Sequence, residues 1–265
     1  MGRSKIYALL LGASAIVPAA NAFAADIPEV PPPVQFHGGW YLRGDIGFSN
    51  QHVGSLFNIL YDDVDSVTNV SKDFSAAPFF GLGIGFQHSD HLRFDLTGEY
   101  RGGSTFHGLD IYTDPDPATD EYTAIKSEWT FLANGYWDIG TWKGFTPFVG
   151  AGLGVSYNTI SGFTDVNTPL LGVAYGATAS EWNFAWALHA GLSYKVNDRL
   201  TIEAAYRYLD LGNAHTGDLV TFEGDNDVPN NPMEFHHLYS HDIKVGFRWA
   251  FDAPQQSYYP PVVKY

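Results

Sequence analysis

The sequence predicts an all-β fold: an eight-stranded antiparallel up-and-down transmembrane β-barrel with long extracellular loops and short periplasmic turns. Three observations carry this. Eight stretches alternate apolar and polar side chains with the two-residue period of a strand. The segments between them alternate long and short, and the first residues read as an export signal. With 265 residues and no cysteine, a disulfide scaffold, a thiolate nucleophile and a cysteine-based metal site are all excluded.

The export signal comes first in the chain. Arg3 and Lys5 form a basic start, Ile6 to Val17 an apolar run, and Ala22-Phe23-Ala24 a small-x-small cleavage site. The run is shorter than the roughly 20 residues of a membrane-spanning helix. Residues 1–24 are therefore read as a cleavable signal peptide. Losing Arg3 and Lys5 takes the formal charge from −15 to −17, which disfavours a nucleic-acid partner because phosphate binding needs a basic footprint. Residues 25–38 contain "PEVPPPV" and are expected to be extended, on the periplasmic side.

Alternation begins at Gly39, and strand-like stretches lie near 39–49, 77–88, 91–101, 126–139, 145–157, 182–196, 199–210 and 239–251. Each is as long as a tilted membrane strand (roughly 9–11 residues) or longer. Trp40, Leu42, Ile46 and Phe48 oppose Tyr41, Arg43 and Asp45. Phe80, Leu82, Ile84 and Phe86 oppose Gly81, Gly83 and Gly85. Leu92, Phe94, Leu96 and Tyr100 oppose Arg93, Asp95, Glu99 and Arg101. The pattern recurs through Trp129 and Phe131, Val149 and Leu153, Phe184 and Leu188, and Ile202 and Tyr206 to Val245 and Phe247. Leu132 and Phe148 are the exceptions, apolar residues on the polar set.

The aromatic-rich set is assigned to lipid and the set mixing glycine with charges to the lumen. Glycine weakens a strand and is a poor choice for a water-facing pleat, but it suits a narrow bore. The gaps at 50–76, 102–125, 158–181 and 211–238 are long and those at 89–90, 140–144 and 197–198 short, the rhythm of extracellular loops and periplasmic turns. Residues 39–251 thus form the barrel and residues 252–265 a periplasmic tail.

The lumen set comprises Arg43, Asp45, Arg93, Asp95, Glu99, Arg101, Lys126, Glu128, Lys195, Glu203, Arg207, Asp242, Lys244 and Arg248. An eight-stranded bore is just wide enough for side chains to fill it. Charges of both signs held there are expected to pair and close it, with slight or gated conductance at most.

The motifs "GWYLRGDIGFS", "YRYLDLG" and "HDIKVGFRWAF" resemble the outer-membrane β-barrel family of small α-proteobacterial surface proteins, the porin-family relatives of OmpA-like eight-stranded barrels. The likeness spans Gly39 to Phe251. It implies the bacterial outer membrane as location and a structural envelope role, with outer-membrane lipid, lipopolysaccharide and the barrel-assembly machinery as partners. Peptidoglycan is a further candidate partner for the tails. The peptidoglycan-binding domain of OmpA has no counterpart here, so its anchoring role is not carried over.

The resemblance also raises hemin or a small solute as an alternative ligand, for which His107, His215, His236 and His237 are the loop candidates. No cofactor is expected. An enzymatic reading, by likeness to barrels that modify lipid A, needs a Ser–His pair on the lipid face near the outer leaflet. In "FHHLYSHD" (235–242), His237 and Ser240 lie three apart and point to opposite faces, so no enzyme is predicted. The outer segments are acidic, with Asp62, Asp63, Asp65, Asp73, Asp110, Asp114, Asp116, Asp120, Glu121, Asp218, Glu223, Asp225, Asp227 and Glu234. They are expected to be a solvated surface near lipopolysaccharide, where divalent cations bridge carboxylates to lipid phosphates.

Overall fold

The computed structural model describes residues 39–63, 67–113, 117–226 and 228–251. The expected signal peptide, the Pro-rich segment, the C-terminal tail, and Asp65, Asp114, Asp116 and Asp227 lie outside the described residues. Ten strands follow one another: β1 (Gly39–Phe57), β2 (Thr68–Phe74), β3 (Ala77–Gln87), β4 (Leu92–Tyr112), β5 (Ala118–Asp138), β6 (Phe145–Asn167), β7 (Gly172–Gly176), β8 (Ala179–Lys195), β9 (Leu200–Thr221) and β10 (Pro232–Ala250).

Every pairing is antiparallel, and β1 closes the ring on β10 from Tyr41–Ala250 to Phe57–Glu234. The ten strands make eight staves. One is β2 plus β3, both paired to β1 and β4. Another is β7 plus β8, both paired to β6 and β9. Closure leaves no backbone edge for the bilayer to solvate, the condition a membrane imposes on β-structure.

The predicted lipid set faces outward. Ile46, Phe48, Phe80, Leu82, Phe184 and Ile243 are all more than half exposed on the described chain. The predicted lumen set is inside, and glycine makes its packing possible. A Cβ on Gly85 would fall 2.2 Å from Cζ of Tyr41, and one on Gly81 would fall 2.5 Å from Cγ of Glu99. Both positions are inner-wall hollows filled by the long side chain of the neighbouring stave.

The long extracellular loops are corrected. The strands run through most of the segments read as loops, and the distal connections shrink to residues 58–67, 113–117, 168–171 and 222–231. Strands of 17 to 23 residues, such as β6 and β8, are longer than the roughly 9–11 residues a bilayer needs. The barrel therefore stands well clear of the membrane. In that distal part the polarity is reversed. Val53, Leu56, Phe106, Tyr122, Ile160, Phe163, Leu211, Met233, Phe235 and Leu238 fill the interior as one apolar cluster. The outward side is polar, with His107, Glu121 and Asn213 exposed. Once the outer face meets water, the alternation that marks a lipid-facing strand is lost, and the sequence reads as loop.

The two exceptions to the alternation become intelligible here. Leu132 is buried in the bore at membrane level, level with Thr97 and Gly154, where it joins the lower edge of the apolar cluster, and Phe148 is buried against Tyr136 at the periplasmic end.

Candidate functional site

The membrane-level bore is an ion-paired stack. At its periplasmic end the Arg93 Nε lies 3.1 Å from Asp138 Oδ1, and Nη2 lies 3.2 Å from Glu203 Oε1. The Arg93 guanidinium also covers the rings of Tyr136 (4.1 Å) and Phe148 (4.6 Å). Arg248 Nε reaches Glu203 at 2.8 Å and its Nη1 donates to Gln87. One layer up, Arg43 grips Asp45 through Nε and Nη2 at 2.9 Å each. Its Nη1 bridges to Asp95 and to the Tyr136 hydroxyl. Lys244 Nζ stands 3.6 Å from Asp45.

Higher still, Arg207 meets Glu99 with two parallel hydrogen bonds of 2.8 and 2.6 Å, and also reaches Asp242 at 2.8 Å. Such forked contacts to a carboxylate are the strongest of side-chain pairings. Arg101 shares Asp242 at 2.8 Å and touches Glu128 at 3.3 Å. Lys126 pairs with Glu128 and donates to Gln51.

Thirteen of the fourteen predicted residues meet in this stack, and one is corrected. Lys195 is half exposed and pairs with Asp198 at the periplasmic turn. It ends β8, where the bore has already opened and a long side chain reaches solvent. Asp138 joins the thirteen although it is not among the fourteen; the alternation already puts it on the polar set of its strand with Lys126 and Glu128, and its pairing with Arg93 brings it into the stack. With that exchange the stack holds seven cations (Arg43, Arg93, Arg101, Lys126, Arg207, Lys244, Arg248) and seven anions (Asp45, Asp95, Glu99, Glu128, Asp138, Glu203, Asp242), nearly all fully buried.

The acidic rim is organised too. Asp110 is fully buried and accepts from Tyr61 (2.6 Å) and Asn69 (2.5 Å). Asp165, beyond the lipid-facing band, has its carboxyl pushed up to about 8, first by burial and then by the charges of Asp120 and Asp110. Asp120 and Asp165 line a cavity of about 540 Å³ with Asn167, Val173, Phe222 and Glu223.

The four candidate loop histidines do not converge. His236 pairs with Glu234 at 2.8 Å and His237 with Asp210 at 3.2 Å. The His215 ring contacts the Thr216 carbonyl oxygen. His107 is on β4, three staves from β10. Ser240 is buried in the bore, bonded to Arg101, while His237 is exposed outside.

The chain matches the outer membrane protein beta-barrel domain family over residues 7–251. A protein of Brucella suis is 30% identical to it, covering 93% of this chain and 98% of its own. The outer membrane protein PagN of Salmonella typhimurium is 29% identical, covering 80% and 90%. Among solved structures, Neisserial surface protein A is 14% identical with a TM-score of 0.46, covering 82% of this chain and 100% of its own. A closed antiparallel ring with an apolar outer band, taken with a family match across almost the whole length, places the chain in the bacterial outer membrane as a member of the outer membrane protein beta-barrel family.

Proposed function

We propose that this barrel is a structural, surface-displayed component of the envelope, with a bore held shut by ion pairing, and that it is not an enzyme. The observation that supports the reading is the equal number of opposite charges buried at membrane level. A buried charge without a partner is costly, so each member of the stack holds its neighbours in place before it serves any passing ion. The apolar cluster above adds a second obstruction in series. Outer-membrane lipid, lipopolysaccharide and the barrel-assembly machinery are the partners in this reading.

Single-channel recording of refolded protein tests it. Slight or intermittent conductance is expected, and large, stable openings would overturn the closed-bore reading. Hemin added to the same preparation is expected to leave its Soret band unmoved. A saturable shift would favour the alternative, a hemin-binding barrel using the extracellular histidines.

A further inference from the structure

The two most exposed large apolar side chains among the described residues lie outside the lipid-facing band. Leu171 is 89% exposed and Phe222 76%, more than Ile243 or any other residue of the lipid face. Leu171 ends the turn at 168–171 and Phe222 follows β9, so both stand in water at the extracellular end. Apolar side chains gathered on one water-facing patch mark an interaction site. These two are gathered, since both line the cavity of about 540 Å³ that also holds Asp120 and Asp165.

Backbone bonds fix the walls of this cavity. Thr221 of β9 pairs with Ala174 of β7, and the Phe222 N–H donates to the Val173 carbonyl at 3.0 Å. Beyond Phe222 the chain turns back at once. The Gly224 N–H donates to the Thr221 carbonyl, and the Thr221 N–H to the Asp225 carbonyl. That turn brings Glu223 and Asp225 to the same cavity as Leu171 and Val173. Asn167 Nδ2 donates to Asp120 Oδ1 at 2.9 Å, while Asp165 Oδ1 is shut off from solvent with no hydrogen-bond partner among the described residues. Four carboxylates thus line a cavity whose described walls include no lysine, arginine or histidine.

Charge and apolar lips together select one kind of occupant. An anion is repelled by the walls. A metal ion does not fit, because among the described residues no three carboxylate or imidazole groups are placed to hold one. It would also leave Leu171 and Phe222 in water. A cationic side chain beside an apolar one answers both features: its charge meets the carboxylates and its neighbour covers the lips. The volume is within the range of ligand pockets, about 300–1,000 Å³.

We propose that this cavity docks an arginine or lysine, flanked by an apolar residue, from an exposed segment of another protein outside the cell. This partner rests on the surface-displayed reading given above. A guanidinium or ammonium there donates charge-assisted hydrogen bonds to carboxylate oxygens. The described groups around Asp165 are Asp120 and Tyr122 on β5, Asp110 on β4, Tyr61 in the 59–63 turn, Glu223 and Asp225, none of them cationic. Burial and the charges of Asp120 and Asp110 keep the Asp165 proton in place up to about 8. An arriving cation displaces that proton, so docking strengthens as pH rises through about 8.

The test uses refolded full-length barrel in nanodiscs of zwitterionic lipid, with empty nanodiscs as the blank. The probe is a capped Leu-Arg-Phe peptide carrying a neutral fluorophore. Saturable binding is expected, about tenfold weaker when citrulline replaces the arginine or glycines replace its neighbours. It should be at least about tenfold tighter at pH 9 than at pH 6, and Asp165→Asn should remove that dependence. Leu171→Gly relaxes a left-handed backbone (φ 58°), so this variant keeps its heat-modifiable gel mobility while losing one lip and about fivefold in affinity. Equal binding of the citrulline peptide would overturn the proposal. So would displacement of the peptide by an equal concentration of spermidine, or no saturable binding to folded barrel below about 1 mM. A failure of peptide binding beside a closed conductance record would sink this inference alone.

Discussion

The membrane half and the distal half of this barrel share the same staves and have opposite interiors. Below, the wall is apolar outside and the bore is filled with charge. Above, the wall is polar outside and the bore is filled with Phe106, Phe163, Phe235 and their neighbours. Solvent on the outside decides the inside. In lipid the outer face takes the apolar residues, and the bore is left with the alternate, polar positions. In water the outer face must be polar, and the bore becomes a conventional core. Stability is correspondingly electrostatic below and hydrophobic above.

That contrast is open to direct attack. The largest loss is expected for Arg207→Ala, which leaves Glu99 and Asp242 buried with fewer partners. Removing one partner of a buried pair costs about 3–5 kcal/mol, to be read as a lower urea midpoint of the heat-modifiable form. Raised salt should not mimic it, because buried pairs are poorly screened.

Phe235→Ala attacks the other half. Phe235 is fully buried and touches the rings of Phe74, Phe106 and Phe163. A cost near 3 kcal/mol is expected, at the low end for aromatic truncation. Its effect should add to that of Arg207→Ala if the halves are energetically separate. A double variant much less stable than the sum would join them.

Asp165→Asn is expected to have a pH-dependent effect. The native carboxyl holds its proton up to about 8, whereas an unfolded carboxyl loses it near 4. Asp165 therefore favours the folded state fully below about pH 4, and this contribution is lost as pH rises through about 8. The asparagine variant should unfold later than the parent at pH 9 and match it more closely at pH 5. Lys195→Ala is expected to change stability by less than about 0.5 kcal/mol, since its pair with Asp198 is exposed. A larger loss would return Lys195 to the stack.

The sequence made the membrane half legible because lipid enforces period-two alternation on every stave. Arg43, Glu99 and Arg207 could be placed in one bore from strand parity alone. The choice of partners could not, since Arg207 meets Glu99 across 108 positions of chain. The distal half was hidden for the reason given by its interior. Outer-face residues such as His107, Thr119 and Glu121 are polar, so a paired ladder (Asp110–Asp120, Ile111–Thr119) reads as loop. The breaks that split two staves, at 75–76 and 177–178, likewise carry no signal that separates them from a longer gap.

The replacement of long loops by strand has a consequence for what reaches the protein from outside. A protease needs a stretch of several residues drawn out into its cleft, and a hydrogen-bonded ladder riveted by an apolar core does not supply one. The four-residue turn at 168–171 is fastened by Leu170 N–H to Asn167 and Leu171 N–H to Thr168. Protease added to intact cells should therefore spare the 168–171 turn and the distal strands. Antibodies raised against short linear peptides of the distal strands should fail to recognise the native barrel.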